Sequence, residues 1–272
     1  MSLPAKYIDI REVIRKKNPR LLAALPGFVL AYIRRILHED DINNFMIAHG
    51  HSEGLDFVHA VLNHFGVHTE LQGIENMRAE GGVIYAANHP LGGLDGLAMM
   101  HELGKHGQDL KFLVNDIVAN IKQLAPLFIP VNKHGSQGRD ALQVLNHTLQ
   151  TEQAFIVFPA GLVSRKQPHG IQDLEWKKTF ISQARRFQKD VVPVYIHGRN
   201  SHFFYNLARL RKWLGIKANI EMFYLVDEMF AQKNKKISIQ LGTPIPWQTF
   251  DKQKTDKEWA AYVREKVYAL KS

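Results

Sequence analysis

The chain has 272 residues, with 35 Lys plus Arg against 26 Asp plus Glu and a formal net charge of +9. Its 45% hydrophobic and 22% charged content is that of a globular protein and not of a disordered or fibrous one. The absence of Cys excludes a disulfide scaffold, a thiolate metal site and a cysteine nucleophile together.

From Ile8 to about Phe65 the pattern is helical, and no run rich in Val, Ile or Thr alternates at period two. An N-terminal helical region over residues 1–70 is expected, followed by an α/β domain over 71–272. Within the first region Arg11, Arg15, Lys16, Lys17, Arg20, Arg34 and Arg35 flank Leu21, Leu22, Leu25, Phe28, Val29 and Ile33. This is the make-up of a basic segment that lies in a membrane interface, and equally that of a solvated helix docked on the domain, because Pro26-Gly27 divides it into short pieces. The apolar run from Leu21 to Ile33 is too short to cross a bilayer, which takes about 20 residues. No signal-peptide pattern precedes it. The expectation is a cytoplasmic protein, peripheral on the inner face of the membrane.

Gly50-His51-Ser52-Glu53-Gly54 matches the nucleophile elbow of serine hydrolases letter for letter. An elbow needs a strand before its Ser, whereas Phe45 to Ala48 continues a helical pattern, so a turn between helices is predicted.

After Gly81-Gly82 short apolar runs alternate with longer helical patterns: Val83 to Ala87, Phe112 to Val114, Leu127 to Val131, Phe155 to Phe158, Val191 to Ile196 and Ile237 to Leu241. Several are apolar on both faces, as strands covered by helices on each side require. The fold class is therefore α/β, with a largely parallel sheet flanked by helices. Thr255 to Leu270 reads as a last helix.

The sharpest local signal is Asn88-His89-Pro90-Leu91-Gly92-Gly93-Leu94-Asp95-Gly96, directly after the strand Val83 to Ala87. Sites of α/β sheets lie beyond the carboxyl ends of strands. Here His89 leaves a strand end and Asp95 stands where a helix begins, with two glycines to let the loop turn. An Asp bonded to one imidazole nitrogen fixes the tautomer and leaves the other nitrogen to take a proton from a hydroxyl. The bland alternative is that Asp95 merely caps the helix.

The same segment resembles the first motif of the PlsC-like glycerophosphate acyltransferases, in which a His and an Asp separated by four residues form the catalytic pair. Three later stretches resemble that family's other blocks in the right order: Leu127 to Lys133, Phe155 to Gly161 and Val191 to Ile196. The Asn-His-Pro-Leu-Gly-Gly-Leu-Asp-Gly form and the helical N-terminus are most similar to the haemolysin-labelled branch, which includes acyltransferases making ornithine and glycine lipids. The resemblance implies His89 and Asp95 as the catalytic pair and Asn88, Lys133, Pro159, Gly161, Ser164 and Arg165 as substrate-binding residues. It implies no metal and no resident cofactor, a thioester of acyl carrier protein or coenzyme A as donor, and a lyso-lipid hydroxyl as acceptor. Gly161 and nearby amides are the expected oxyanion donors.

Two departures from the family pattern bear on the acceptor. His89 and Asp95 are separated by five residues and not four. The third block, usually Phe-Pro-Glu-Gly-Thr-Arg-Ser, here has Ala160, Leu162 and Val163 at the Glu, Thr and Arg positions. Lys133 or Arg165 is left to supply the anion-binding charge, and Lys lacks the bidentate fork of Arg. This puts glycerol phosphate in doubt and leaves an N-acyl amino-acid lyso-lipid or lysophosphatidic acid as acceptor.

Between Asp190 and Glu221 no residue is acidic, while Arg199, Arg209, Arg211, Lys212 and Lys217 interleave with Phe203, Phe204, Tyr205, Leu210, Trp213 and Leu214. An ordinary helix with aromatics in the core and an anionic membrane surface both fit this mixture. No nucleic-acid motif accompanies it, so nucleic acid is not expected as a partner. The non-catalytic alternative for the whole chain is a basic, haemolysin-like membrane-binding protein.

Overall fold

The computed structural model describes residues 6–78, 82–114, 118–130 and 145–271. Five helices come first: α1 (Ile10–Lys17), α2 (Pro19–Ala24), α3 (Gly27–Ile36), α4 (Glu39–His49) and α5 (Gly54–Phe65). Asp9 and Asn18 cap α1 and α2 by accepting from the backbone N–H of Glu12 and Leu21. Ser52 sits in the turn between α4 and α5, where its N–H donates to the His49 carbonyl at 3.0 Å. No strand precedes it, as the elbow argument requires.

A seven-stranded sheet follows in the order β1-β9-β8-β2-β5-β3-β4. Its strands are β1 (His68–Gln72), β2 (Val83–Ala87), β3 (Leu110–Val114), β4 (Phe128–Pro130), β5 (Ala154–Val157), β8 (Asp190–Ile196) and β9 (Lys236–Leu241). Every neighbouring pair is parallel except β8 with β9. A short hairpin, β6 (Arg165–Gln167) with β7 (Gly170–Gln172), lies apart from it. The central strands β2 and β5 are buried at every position, which the apolar runs in the sequence anticipate.

Two cores cover the sheet. On one face α5 and α6 (Gly93–Lys105) pack Phe57, Val58, Leu62, Leu94, Met99 and Leu103 against Tyr85, Ile156 and Val192. On the other, α7 (Thr179–Phe187) and α10 (Asp256–Ala269) pack Phe180, Ile181, Trp259 and Val263 against Ile84, Phe155 and Val191. Residue 70, the expected boundary, lies inside β1, which pairs in parallel with β9, and α5 shares its core with the sheet. Only Leu71 of β1 is buried, because an edge strand meets the core with one face. Among the described residues no helix is long and apolar enough to cross a membrane.

Candidate active site

The carboxyl end of β2 is fixed by Asn88. Its buried side-chain amide donates to the Ile196 carbonyl at 3.0 Å and accepts from the Ile196 N–H at 2.6 Å, tying the ends of β2 and β8 together. Both ends of the amide of Asn88, an expected substrate-binding residue, are thus held by backbone, and it positions the residue that follows.

That residue is His89. Its Nδ1 lies 2.9 Å from Asp95 Oδ2, with Asp95 in the first turn of α6. Asp95 is fully buried, and the same Oδ2 accepts the N–H groups of Leu91 at 2.8 Å and Gly92 at 3.0 Å. The carboxylate therefore caps the helix and grips the imidazole at once, so the capping and catalytic readings describe one arrangement. Gly92, in the turn between His89 and Asp95, adopts a backbone that side chains resist, at φ 86°, ψ −130°. Burial pushes the Asp95 carboxyl above its ordinary value, opposed by its bonds from His89, Leu91 and Gly92. Its second oxygen, Oδ1, has no hydrogen-bond partner.

The imidazole is held from behind as well. Phe158, the residue after β5, stacks on it at 4.3 Å between centroids with an interplanar angle of 16°. The backbone of His89 is held by Asp173 and Ser164: its N–H donates to Asp173 Oδ1 at 3.2 Å, and its carbonyl accepts the Ser164 N–H at 2.7 Å. Asp173 is buried and also accepts from Ser164 Oγ at 2.5 Å and Trp176 Nε1 at 2.9 Å. Its own N–H donates to Tyr268 Oη at 2.7 Å, and its carbonyl accepts from Arg264 at 2.9 Å, which anchors the cluster to α10. Ser164 thus braces the His89 backbone and does not line the cavity. Neither Phe158 nor Asp173 stood out in the sequence, since one reads as core and the other as an isolated loop acid.

The exposed edge of His89 opens into a cavity of about 1070 Å³. Apolar side chains line most of it, among them Phe45, Phe57, Val61, Leu97, Met100 and Phe112. It runs from Pro159 and Gly161 beside the His-Asp pair to Tyr7 and Ile8 ahead of α1, so the helical N-terminus forms one wall.

Three other expected site residues remain: Arg165, Gly161 and Lys133. Arg165 is buried, with its Nη2 3.0 Å from Glu221 Oε1, and Arg211 Nε reaches Glu221 Oε2 at 2.8 Å. Glu221 is fully buried between the two guanidinium groups. Arg165 is therefore neutralised within the fold and does not line the cavity, and Arg211 is no surface charge. Gly161 does line the cavity, but its N–H donates to the Phe158 carbonyl at 2.9 Å, closing a turn over Pro159 and Ala160. That amide, the expected oxyanion donor, is engaged within the turn in this structure. Lys133 lies outside the described residues.

A family model described as Acyltransferase matches residues 12–272. A lyso-glycine lipid O-acyltransferase of Bacteroides thetaiotaomicron is 47% identical over 264 residues, covering 97% of each chain. A protein of the same description from Phocaeicola vulgatus is 44% identical over 264 residues, covering 97% of this chain and 95% of that one. Among solved structures, that of the 1-acyl-sn-glycerophosphate (LPA) acyltransferase PlsC from Thermotoga maritima is 17% identical, with a TM-score of 0.49 over 97% of this chain and 98% of that one.

Proposed function

The chain belongs to the acyltransferase family, and we propose that it is a lysolipid O-acyltransferase whose acceptor is a lyso-glycine lipid, the substrate named for its two relatives. The observation that carries the reading is the His89–Asp95 pair at 2.9 Å, set at the wall of a large apolar cavity. Asp95 holds Nδ1, so the ring turns Nε2 towards the acceptor hydroxyl. His89 takes the hydroxyl proton as the oxygen attacks the thioester carbonyl, the carbon–sulfur bond breaks, and the proton leaves on the thiol. The charge that develops on the imidazole is stabilised by the buried carboxylate. Acyl chains occupy the apolar cavity, where about 25 cal/mol of binding comes from each Å² of apolar surface removed from water.

Access to lipid is supported by a second feature. Phe28 on α3 and Trp213 at the end of α8 (His202–Trp213) are 76% and 80% exposed. The two helices are linked through Tyr224, whose Oη is 2.8 Å from Tyr32 Oη and whose ring meets Phe203 edge-on at 4.9 Å. Arg35, Arg209 and Lys212 stand exposed on these same elements. A basic face with protruding aromatics suits the inner surface of an anionic membrane. The opposite half of α8 buries Phe204, Tyr205 and Ala208, so the helix is both core element and surface anchor.

The test is a competition. Wild-type protein is given lyso-glycine lipid and lysophosphatidic acid at equal concentration, with long-chain acyl carrier protein and coenzyme A thioesters in separate reactions, and the products are identified by mass. Predominant acylation of the glycine lipid supports the reading; predominant acylation of lysophosphatidic acid, or of neither, refutes it.

A further inference from the structure

Glycine stands at residues 92, 93, 96 and 104, in α6 and the turn ahead of it, and three of the four have a structural reason. Gly92 has its positive φ. Gly96 and Gly104 are crossed by Phe112 and Leu55, each 2.7 Å from where a Cβ would lie. Gly93 has neither reason. Its backbone is helical, and no atom of the described residues would come within 4 Å of a Cβ there. Alanine would fit and would favour the helix, so the fold does not require the missing side chain. What lies on the open side is the cavity. Gly93 lines it together with His89, and with Gly96, Leu97 and Met100 at helical spacing along α6. Gly93 also follows the residue whose N–H meets Asp95 Oδ2 at 3.0 Å, the same oxygen that lies 2.9 Å from His89 Nδ1. The wall that α6 gives the cavity is therefore bare beside the catalytic pair and filled by Leu and Met further along.

Acyl transfer is most crowded at its tetrahedral stage. As His89 takes the hydroxyl proton, the thioester carbon comes to bear its own oxygen, now an anion, the acyl chain, the thiol sulfur and the acceptor oxygen with the carbon behind it. The carbon–sulfur bond then breaks and the proton leaves on the thiol. We propose that Gly93 is the close-approach residue of this reaction: the space over its Cα holds the tetrahedral centre beside His89. The inference rests on the acyl-transfer reading above and names the residue that makes room for its transition state.

The experiment compares Gly93→Ala and Gly93→Leu with wild type in kcat, KM for lyso-glycine lipid, pH–rate profile and melting temperature. In Gly93→Ala kcat falls about tenfold to a hundredfold, the upper end being what a misplacement of about 1 Å costs at a reacting centre. The loss is greater in Gly93→Leu. KM stays within about twofold of wild type, because the crowding is met only in the transition state. The pH–rate profile keeps its shape, and Gly93→Ala melts at or above the wild-type temperature, since the helix loses a glycine. Wild-type kcat in both variants overturns the proposal. So does a loss confined to KM, which would lay a lipid chain over Gly93 and not the reacting carbon, and so does a loss with a displaced pH–rate profile, which would mark an effect passed through the His89–Asp95 pair. If wild type transfers no acyl group, the acyl-transfer reading itself has failed; wild-type transfer that is indifferent to Gly93 refutes the glycine assignment alone.

Discussion

Asp95→Asn separates what the buried carboxylate does for catalysis from what it costs the fold. Three N–H donors converge on Oδ2, from His89, Leu91 and Gly92. An amide NH₂ turned to that position would face the Leu91 and Gly92 donors, so the Asn carbonyl takes it and the imidazole keeps its tautomer. The NH₂ then falls where Oδ1 lies without a partner. Activity is lost only through the missing charge behind the imidazolium, which predicts a fall in kcat of about 10²–10⁴. Stability behaves oppositely. Burial raises the Asp95 pKa above its ordinary value of 3.8, so the native state binds this proton more tightly than the unfolded chain does. Stability from this group therefore falls as pH rises from that value through the folded pKa, and stays lost above it. Asn does not titrate and carries no such pH dependence. Set against the cost of an unsatisfied amide, about 1–3 kcal/mol, the stability of the variant relative to wild type is expected to rise from acid to neutral pH. Urea unfolding across a pH series, alongside initial rates, reads both. A variant that is inactive and also less stable at neutral pH than at acid pH, relative to wild type, would refute the reasoning.

Three further outcomes are expected. Asp173→Asn keeps one acceptor oxygen where the carboxylate has two, so Trp176 or the His89–Ser164 pair loses a charge-assisted bond; urea midpoints should report a loss of about 1.5–3 kcal/mol, and an unshifted midpoint argues against that network. Glu221→Ala leaves Arg165 and Arg211 buried without a counter-charge and should cost about 3–5 kcal/mol, seen as a lower melting temperature; wild-type melting would mean the guanidinium groups reach water. Phe28→Ser and Trp213→Ser should each weaken sedimentation with anionic vesicles about tenfold, as removal of a membrane-buried aromatic requires; unaltered binding would place the membrane face elsewhere.

Much of this architecture was legible in the sequence because the relevant signals are local. Strands β2, β5 and β8 are apolar on both faces and lie within a residue or two of their expected bounds. Strand β1 was not legible: its sequence, His-Thr-Glu-Leu-Gln, belongs to an edge and owes its strand form to pairing with β9, 168 residues away at Glu70 and Ser238. The His89–Asp95 pair was readable because both partners fall in one turn. The surroundings were not, for the same reason in reverse. Asp173 meets His89 across 84 residues, and Glu221 meets Arg165 across 56. An Arg next to a block that binds anions in related sequences invites the substrate role, and nothing nearby in the chain announces the acid that neutralises it. The exposed Trp213 and buried Tyr205 of α8 likewise follow from which face meets the core, which aromatic content alone does not decide.

The most direct measurement is transfer of a labelled acyl group from thioester donor to lyso-glycine lipid by wild type and by His89→Ala, with folding of both verified by circular dichroism. The account predicts an O-acylated product from wild type and a rate at least about a hundredfold lower from the variant, as loss of the general base requires. Equal rates from the two proteins would contradict it.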